Sequence, residues 1–520
     1  MKGIKDMKKS HLFALVFALF ALFGLTIGVS AEDADYRSSE FSAVGFDEPE
    51  NLSDGYRSTY SEALADASVT VTRDDGVFGL YVEHDTVPKL WKITDTESGV
   101  SHTLGTHGFL HEYVDVKELF GTTPKSLTLS FESGASICDI YAFSDGKLPD
   151  FVQRWDEPLQ RADLLLVSSH SDDEQLFFAG ILPYYAGERG LDVQVIYMVQ
   201  HFELRGEINH QRPHEQLDGL WAVGIRNYPV ISSFPDLYAE STDREEAFEK
   251  ASEVFAAEGV TYDDFVKYLT DNIRRFKPLV VVSHDLDGEY GHGTHVMCAR
   301  ALTEAVKLAA DSSYDTSSVS EYGGAWCVNK LYLHLYDENQ ITLDLDTPLE
   351  AFDGKTAFEM TQYGFGFHKS QHWMWFNKWI YGTEEEPITR ADQIEKYSPC
   401  KYGLYFTSVG YDSVGGDFFE NVVTYAERNT SGNGSALSTI DSLATLPSHV
   451  EPSKSAADVT TETPSDNEKR YSTNVITVIV IICVMVCVVI GIFIFYTSKT
   501  AAMKRRRRRR NTLLHNGRRR

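Results

Sequence analysis

Cysteine is scarce, with six residues in 520. Cys483 and Cys487 fall in a long apolar run near the C-terminus, and Cys138, Cys298, Cys327 and Cys400 are scattered through the body. So few, so far apart, exclude a disulfide scaffold, and without a Cys-x-x-Cys pair a thiolate zinc site is excluded as well. Positive charge is also short: 48 Lys and Arg stand against 76 Asp and Glu, a formal charge of −28. Eleven of those basic residues lie between Lys499 and Arg520, where there is no acid, and four more are Lys2, Lys5, Lys8 and Lys9. The stretch between is strongly acidic and should repel nucleic acid, so no such partner is expected. Pro (16) and Gly (37) are too few for a collagen, and 42% hydrophobic with 24% charged residues exclude wholesale disorder. No GxSxG, HExxH or P-loop pattern occurs, which leaves serine hydrolases, zincins and nucleotide hydrolases without support.

The two ends carry membrane signals. Lys8 and Lys9 precede an apolar run over 12–29 that ends in Val29-Ser30-Ala31 before Glu32. This reads as a signal peptide over 1–31, cut after Ala31, with an uncleaved anchor as the alternative. Residues 475–496 hold no charge. At 1.5 Å per residue they would span about 33 Å, enough for a single transmembrane helix. Lys504 and Arg505 to Arg510 follow and mark the cytoplasmic side of a tail over 497–520. The expected location is therefore the cell membrane, with the body outside and the basic tail inside, held by anionic lipid.

Between these ends the hydrophobic pattern changes twice. Residues 32–66 are polar and without a clear period. Over 67–155 short alternating strands predict a small β-sandwich accessory domain: Val69 and Val71 alternate with threonines, Asp75-Gly76 offers a hairpin turn, and Leu127, Leu129 and Phe131 share a face. From Arg161 the pattern alternates strand and helix. Strands are predicted over 163–169, 193–199, 228–231, 278–283 and 330–335. Helices are predicted over 174–188, 213–223, 265–276 and 294–310. This predicts an α/β domain over 161–428, a Rossmann-like, mostly parallel sheet with helices on both faces. A Ser-, Thr- and Gly-rich stalk over 429–472 leads to the membrane segment.

Two predicted strand ends hold unusual polar groups, where an α/β sheet puts its ligand site. One is Ser169-His170-Ser171-Asp172-Asp173-Glu174. The other runs from Ser283 through His284, Asp285, Asp287, Glu289, Tyr290 and His292 to His295. Imidazole and carboxylate together are the donors that zinc and similar divalent ions take. His170 and Asp173 stand at i and i+3, as do His292 and His295, so one turn directs each pair to a common side. One of the two later histidines would ligate and the other face substrate. Asp172, beside a ligand, would take a proton from metal-activated water. The plainer reading is that Asp172-Asp173 only caps a helix.

His170 to Glu174 resembles the HPDDE signature of the LmbE-like (PIG-L) de-N-acetylases, and His292 to His295 resembles that family's HxxH motif. Gly206-Glu207, Arg212, Glu215 and 217–224 resemble a third block. The resemblance implies a Rossmann-like, zinc-dependent enzyme, another divalent metal being possible, that removes acetyl groups from N-acetylglucosamine units of a glycan or glycolipid. It implies His170, Asp173 and His295 as metal ligands and Asp172 as general base. It makes His292 the group that steadies the tetrahedral intermediate or protonates the amine, and Tyr290 a polariser of the carbonyl. Arg212 and Asp236 would bind substrate. Ser171 replaces the family's usual proline, which touches turn stiffness and not the ligand set. The alternatives are a non-catalytic glycan-binding protein on the same fold and an amidase for a non-sugar amide. An aromatic run from Tyr363 to Tyr381, with His368 and His372, is expected to be core more than sugar groove.

Overall fold

The computed structural model describes residues 32–106, 108–204 and 207–430. The expected signal peptide, nearly all of the stalk, the apolar run 475–496 and the basic tail lie outside the described residues. Among the described residues no helix is long and apolar enough to cross a membrane.

Eight antiparallel strands come first: β1 (Glu40–Phe46), β2 (Ser61–Thr72), β3 (Gly79–His84), β4 (Trp91–Asp95), β5 (Ser101–Leu104), β6 (His111–Asp115), β7 (Ser126–Phe131) and β8 (Ser136–Phe143). The start of β2 pairs with β8 and its end with β1 and β7, so this strand serves two layers. Asp66, at φ 57°, lies between the two pairings. Val69, Ile93 and Leu129 of one layer meet Leu80, Val82 and Ile137 of the other in a common core. Two expectations are corrected. Residues 32–66 are not a separate polar segment, because β1 sets half-buried Phe41 and Ala43 against the core and pairs with β2. Asp75-Gly76 does not close a β2–β3 hairpin. The chain crosses between layers there, held by Arg73 and Val77 N–H groups on the Lys125 and Pro124 carbonyls, and β3 pairs with β6 and β8.

The second sheet runs β13-β10-β9-β14-β15-β17-β16. Its strands are β9 (Leu164–Ser168), β10 (Val193–Tyr197), β13 (Val230–Ile231), β14 (Val280–Ser283), β15 (Lys330–His334), β16 (Gln340–Thr342) and β17 (Lys401–Thr407). A small ribbon, β11 (Glu203–Leu204) with β12 (Glu207–Ile208), stands apart. β13 to β15 pair in parallel; β17 and β16 are antiparallel and extend the sheet beyond β15, which does not close the series. Both faces are buried. Leu164 and Leu166 enter one core, Leu165 and Val167 the other. Helices α1 (Arg212–Ala222), α5 (Ala357–Phe365) and α6 (Met374–Tyr381) cover the first face. Helices α2 (Arg244–Ala257), α3 (Tyr262–Phe276) and α4 (Gly293–Ala310) cover the second. The α3 helix starts on a Thr261/Asp264 capping box, which satisfies its first N–H groups.

The helix expected over 174–188 is not a regular one. Residues 172–180 are successive turns, and Pro183–Glu188 forms a short π-helix. The apolar spacing is helical, but the polar side chains bond elsewhere: Asp173 to the His170 N–H, Glu174 to the Asp172 N–H, and Gln175 to the Gly219 carbonyl.

A buried polar network joins the sandwich to α1. On β3, Glu83 points away from the sandwich core and bonds Arg57, which also reaches Asp218 of α1 at 2.7 Å. Trp155 Nε1–H and Gln153 fix the proton order: the indole donates to Gln153 Oε1, and the Gln153 amide donates to Asp218. His111 Nδ1–H therefore donates to Gln153 Oε1, and His214 Nδ1–H to His111 Nε2 at 2.7 Å. Burial, then the Arg57 charge, pushes His214 down to about 3 and His111 well below its ordinary value. Both imidazoles are neutral when folded, whereas the unfolded chain takes up their protons below about 6.5. Stability is unaffected by them above that pH and is lost as pH falls through the window toward 3, by at most about 1.4 kcal/mol per unit for each histidine. Glu83, raised to about 7 by burial despite Arg57, acts in the opposite sense between about 4.5 and 7. The expected result is that His214→Gln flattens the acid loss of urea midpoint between pH 6.5 and 4 relative to the parent chain. Parallel curves would refute it.

Candidate metal centre

From β9 the chain moves to β10 and β13 on one side; from β14 it moves to β15 on the other. The crevice beyond the carboxyl ends of β9 and β14 is thus the sheet's switch point, the usual place for a ligand. The structure brings both sequence clusters there.

His170 follows β9 and His295 lies in the first turn of α4. His170 Nδ1, His295 Nε2 and Asp173 Oδ2 form a triangle with edges of 3.1, 3.2 and 3.3 Å. Donors placed tetrahedrally at about 2.0–2.1 Å from zinc stand about 3.3–3.4 Å apart. The three therefore fit a divalent ion of that size, and His292 lies within reach of the same position beside His170 and His295. The proton positions agree: His295 Nδ1–H donates to Glu289 Oε2 at 2.7 Å, which leaves the Nε2 lone pair for the ion. Burial alone would lower His295, but Asp173 and Glu289 lift it to about 10, so the site favours positive charge. Burial would raise Asp173, yet His295 and His170 hold it well below its usual range.

Glu289 is the hub behind these donors. Fully buried, it accepts from His295 and His284 on one oxygen and from His334 and the Asp285 N–H on the other. Burial opposes its charge, but His284 and the other imidazoles hold it ionised, well below the usual range. His284 lies near Asp173 and His295, but its Nε2 lone pair is taken by the Ser169 N–H at 2.9 Å. It is a prop and not a donor to metal. His284 and Glu289 stood in the sequence cluster without a role; His334, at the end of β15, had no sequence signal.

Asp172 is 3% exposed and sits at φ 126°, a backbone cost a buried turn must hold in place. Burial raises its carboxyl well above the ordinary value, with Arg212 opposing and Asp173 and Glu174 assisting. His292 lies 4.6 Å from His170 and 4.7 Å from His295, ring centre to ring centre, and its buried Nδ1 has no partner. Burial, with His170 and His295 beside it, pushes His292 well below its ordinary value, so it is neutral. Tyr290 stacks edge-on against His292 and His295 at 5.5 and 5.6 Å.

Arg212 and Asp236 also reach the site, but they are committed to protein partners. Arg212 bonds the Ser171 carbonyl and Asp236, each at 3.0 Å, and lies 3.5 Å from Asp172. Asp236 lies 3.2 Å from His201 Nδ1, and His201 Nε2 accepts the Ser171 N–H at 2.8 Å. Ser171 is thus clamped at both its N–H and its carbonyl, and the two clamps meet at Asp236. Burial, then Arg212, lowers His201 to about 4, keeping it neutral and able to accept. No motif or spacing pointed to His201. Of the third block, Gly206 lies outside the described residues, while Glu215 of α1 accepts from Ser370 and Gln211 and so ties the aromatic run to this helix.

That run is only partly core. Phe365 and Phe376 are buried, but Tyr363, Trp373 and Trp375 are 52, 60 and 42% exposed. Trp375 lies 5.1 Å from Tyr290 and Trp379 lies 5.7 Å from Phe177, so α6 borders the site. His368, on the same run, sets its Nε2 3.0 Å from Glu174.

Gly291 explains one local feature of the second motif. Its φ is 79°, and a Cβ there would sit 2.1 Å from the Ser241 carbonyl oxygen, which lies beside the bridge between Glu240 and His292. Gly291→Ala is expected to cost at least about 1–2 kcal/mol from the left-handed conformation alone. A lowered denaturant midpoint together with reduced metal affinity would show it; an unchanged midpoint would contradict it.

The fold and site together define an α/β domain with a buried cluster of imidazole and carboxylate donors spaced for a divalent ion. The PIG-L family model, described as GlcNAc-PI de-N-acetylase, matches residues 165–306, and over that segment the resemblance read from the motifs is shown. The chain is 26% identical over 217 residues to 1D-myo-inositol 2-acetamido-2-deoxy-alpha-D-glucopyranoside deacetylase 1 of Catenulispora acidiphila, covering 38% of this chain and 62% of the relative. It is 30% identical over 182 residues to the deacetylase of the same description from Rhodococcus jostii, covering 32% and 60%. The chain thus spans about three fifths of the length of these relatives. A solved structure of N,N'-diacetylchitobiose deacetylase from Pyrococcus horikoshii aligns at 15% identity and a TM-score of 0.32, over 48% of this chain and 84% of that one.

Proposed function

We propose that the chain is a metal-dependent de-N-acetylase that hydrolyses the acetamide of N-acetylglucosamine-type units in a glycoconjugate. The observation that carries this reading is the triangle of His170, Asp173 and His295 donors with Asp172 and His292 beside it. The named activities of the relatives supply the substrate class. Zinc, or another divalent ion held by the three donors, would polarise the amide carbonyl and make water nucleophilic near neutral pH.

The chain's own groups supply the rest. Asp172 would take a proton from the attacking water as a carboxylate, the form that the charge of an ion held by its neighbours would favour against the burial that raises it. The water oxygen bonds to the carbonyl carbon, the C–N bond breaks, and a proton passes to the departing amine, giving acetate and a free glucosamine. His292 and Tyr290, packed beside the donors, would hydrogen-bond the oxygen that gains charge. Trp373 and Trp375 offer exposed ring faces on which a sugar can stack. Arg212 and Asp236 act on substrate through the turn they brace as well as by any direct contact.

The same proposal places the body outside a cell membrane. The signal-like run over 1–31 and the apolar run 475–496 with its following arginines support it. Acetate release from N-acetylglucosamine oligomers and glycolipids, with and without chelator, tests the activity. Chelator-sensitive release that His170→Ala abolishes is the expected result. A folded, metal-loaded chain that releases no acetate from any of them would overturn it in favour of a non-catalytic glycan-binding protein or a non-sugar amidase.

A further inference from the structure

The sandwich carries a cavity of about 880 Å³ that shares no residue with the metal centre. Tyr36, Tyr141 and Phe151 form one wall, with ring centres 5.2–5.7 Å apart. Tyr36 meets the other two nearly at right angles, and Phe151 is 37% exposed. Arg57 and Glu83 also line it, and the Glu83 side chain is 3% exposed.

Arg57 Nε bonds Glu83 Oε1 and Arg57 Nη1 bonds Asp218. Among the hydrogen bonds of the described residues, none uses Arg57 Nη2 or Glu83 Oε2. An unspent donor and an unspent acceptor therefore remain on a lining whose wall is aromatic. Sugar hydroxyls both accept and donate, and the ring's C–H face packs on aromatic carbon. The volume lies in the range of pockets for small ligands, about 300–1,000 Å³. Charge narrows the class further. The lining sets Arg37 and Arg57 against Asp54 and Glu83, a balance that favours neither an anion nor a cation.

We propose that this cavity is a second, non-catalytic binding site for an uncharged oligosaccharide. It would hold a glycan chain on the sandwich independently of hydrolysis at the metal centre. Arg57 links its lining to Asp218 of α1, so the sandwich site and the domain that carries the metal centre are mechanically continuous.

The test uses the full chain carrying His170→Ala, so that bound glycan is not turned over. Tetramers of the chito-, cello-, malto- and galacto- series are titrated by calorimetry. The expected result is saturable binding of at least one series, weakened tenfold or more by Phe151→Ala and by Tyr141→Ala. Phe151 is exposed enough that its loss leaves the fold intact, which guards against a misfolded control. Phe151→Ala in the chain that retains His170 is expected to keep its acetate release from a monosaccharide substrate. Absence of binding to all four series overturns the proposal. So does binding that is indifferent to both aromatic variants, or binding that His170→Ala itself abolishes, which would place the glycan at the metal centre.

Discussion

Asp172→Asn is expected to lower acetate release by roughly 100- to 10,000-fold while leaving metal content and fold unchanged. The two side chains have nearly the same shape, and Asp172 is 3% exposed in a turn at φ 126°, a conformation that aspartate already holds there and that the amide does not change. Burial already favours the uncharged form of this carboxyl, with Asp173 and Glu174 adding to the effect against Arg212, so the neutral amide fits the surroundings and stability should hold or rise. What the amide cannot do is accept a proton from water. Asp173→Asn is expected to behave differently. It removes the charge that His295 and His170 face, and metal affinity and activity fall together. Metal analysis beside initial rates separates the two. If Asp172→Asn keeps its rate, Asp172 is not the base, and another group must take the proton.

The contrast between these neighbours shows what the sequence made legible. His170 with Asp173, and His292 with His295, were readable as clusters because they sit next to a buried apolar strand or open a helix, and i,i+3 spacing survives in any local turn; the preference for His295 over His292 as a ligand came from the family resemblance. The sheet was readable from runs such as Leu164 to Val167, whose residues fill cores on both faces. Glu289 was visible but mute, since its three imidazole partners come from β14, α4 and β15 and only the folded sheet assembles them. His201 and His334 left no pattern at all. Local period misled where side-chain bonding overrode it. The 174–188 stretch has helical apolar spacing, yet Asp173, Glu174 and Gln175 bond backbone groups that a helix would not present. β1 was hidden for a different reason: as an edge strand it leaves every second residue exposed and only half buries Phe41 and Ala43 between them.

His201→Ala should weaken metal binding about 10- to 100-fold, and adding Ser171→Pro should restore most of the loss. His201 touches no donor atom of the triangle. It accepts the N–H of Ser171, the residue between a ligand and the proposed base, while Arg212 holds the carbonyl of the same residue. Removing the imidazole leaves a buried N–H without a partner, worth about 1–3 kcal/mol, and frees the turn that aims His170 and Asp173. Proline at 171 has no N–H to satisfy and restricts φ by its ring, so it performs by covalent geometry what His201 performs by hydrogen bonding. Ser171→Pro alone is expected to be harmful, because the ring would replace the hydrogen on the Ser171 nitrogen, which lies 2.8 Å from His201 Nε2, and leave that imidazole nitrogen unpartnered. The two changes should therefore be worse apart than together, a coupling that a purely structural loss at either position would not produce. Metal affinity by competition with a chromophoric chelator, measured for both single variants and the pair, gives the cycle directly. Additive losses would show that His201 supports the fold without positioning the turn. They would also leave the exchange of proline for serine at 171 without a structural cause.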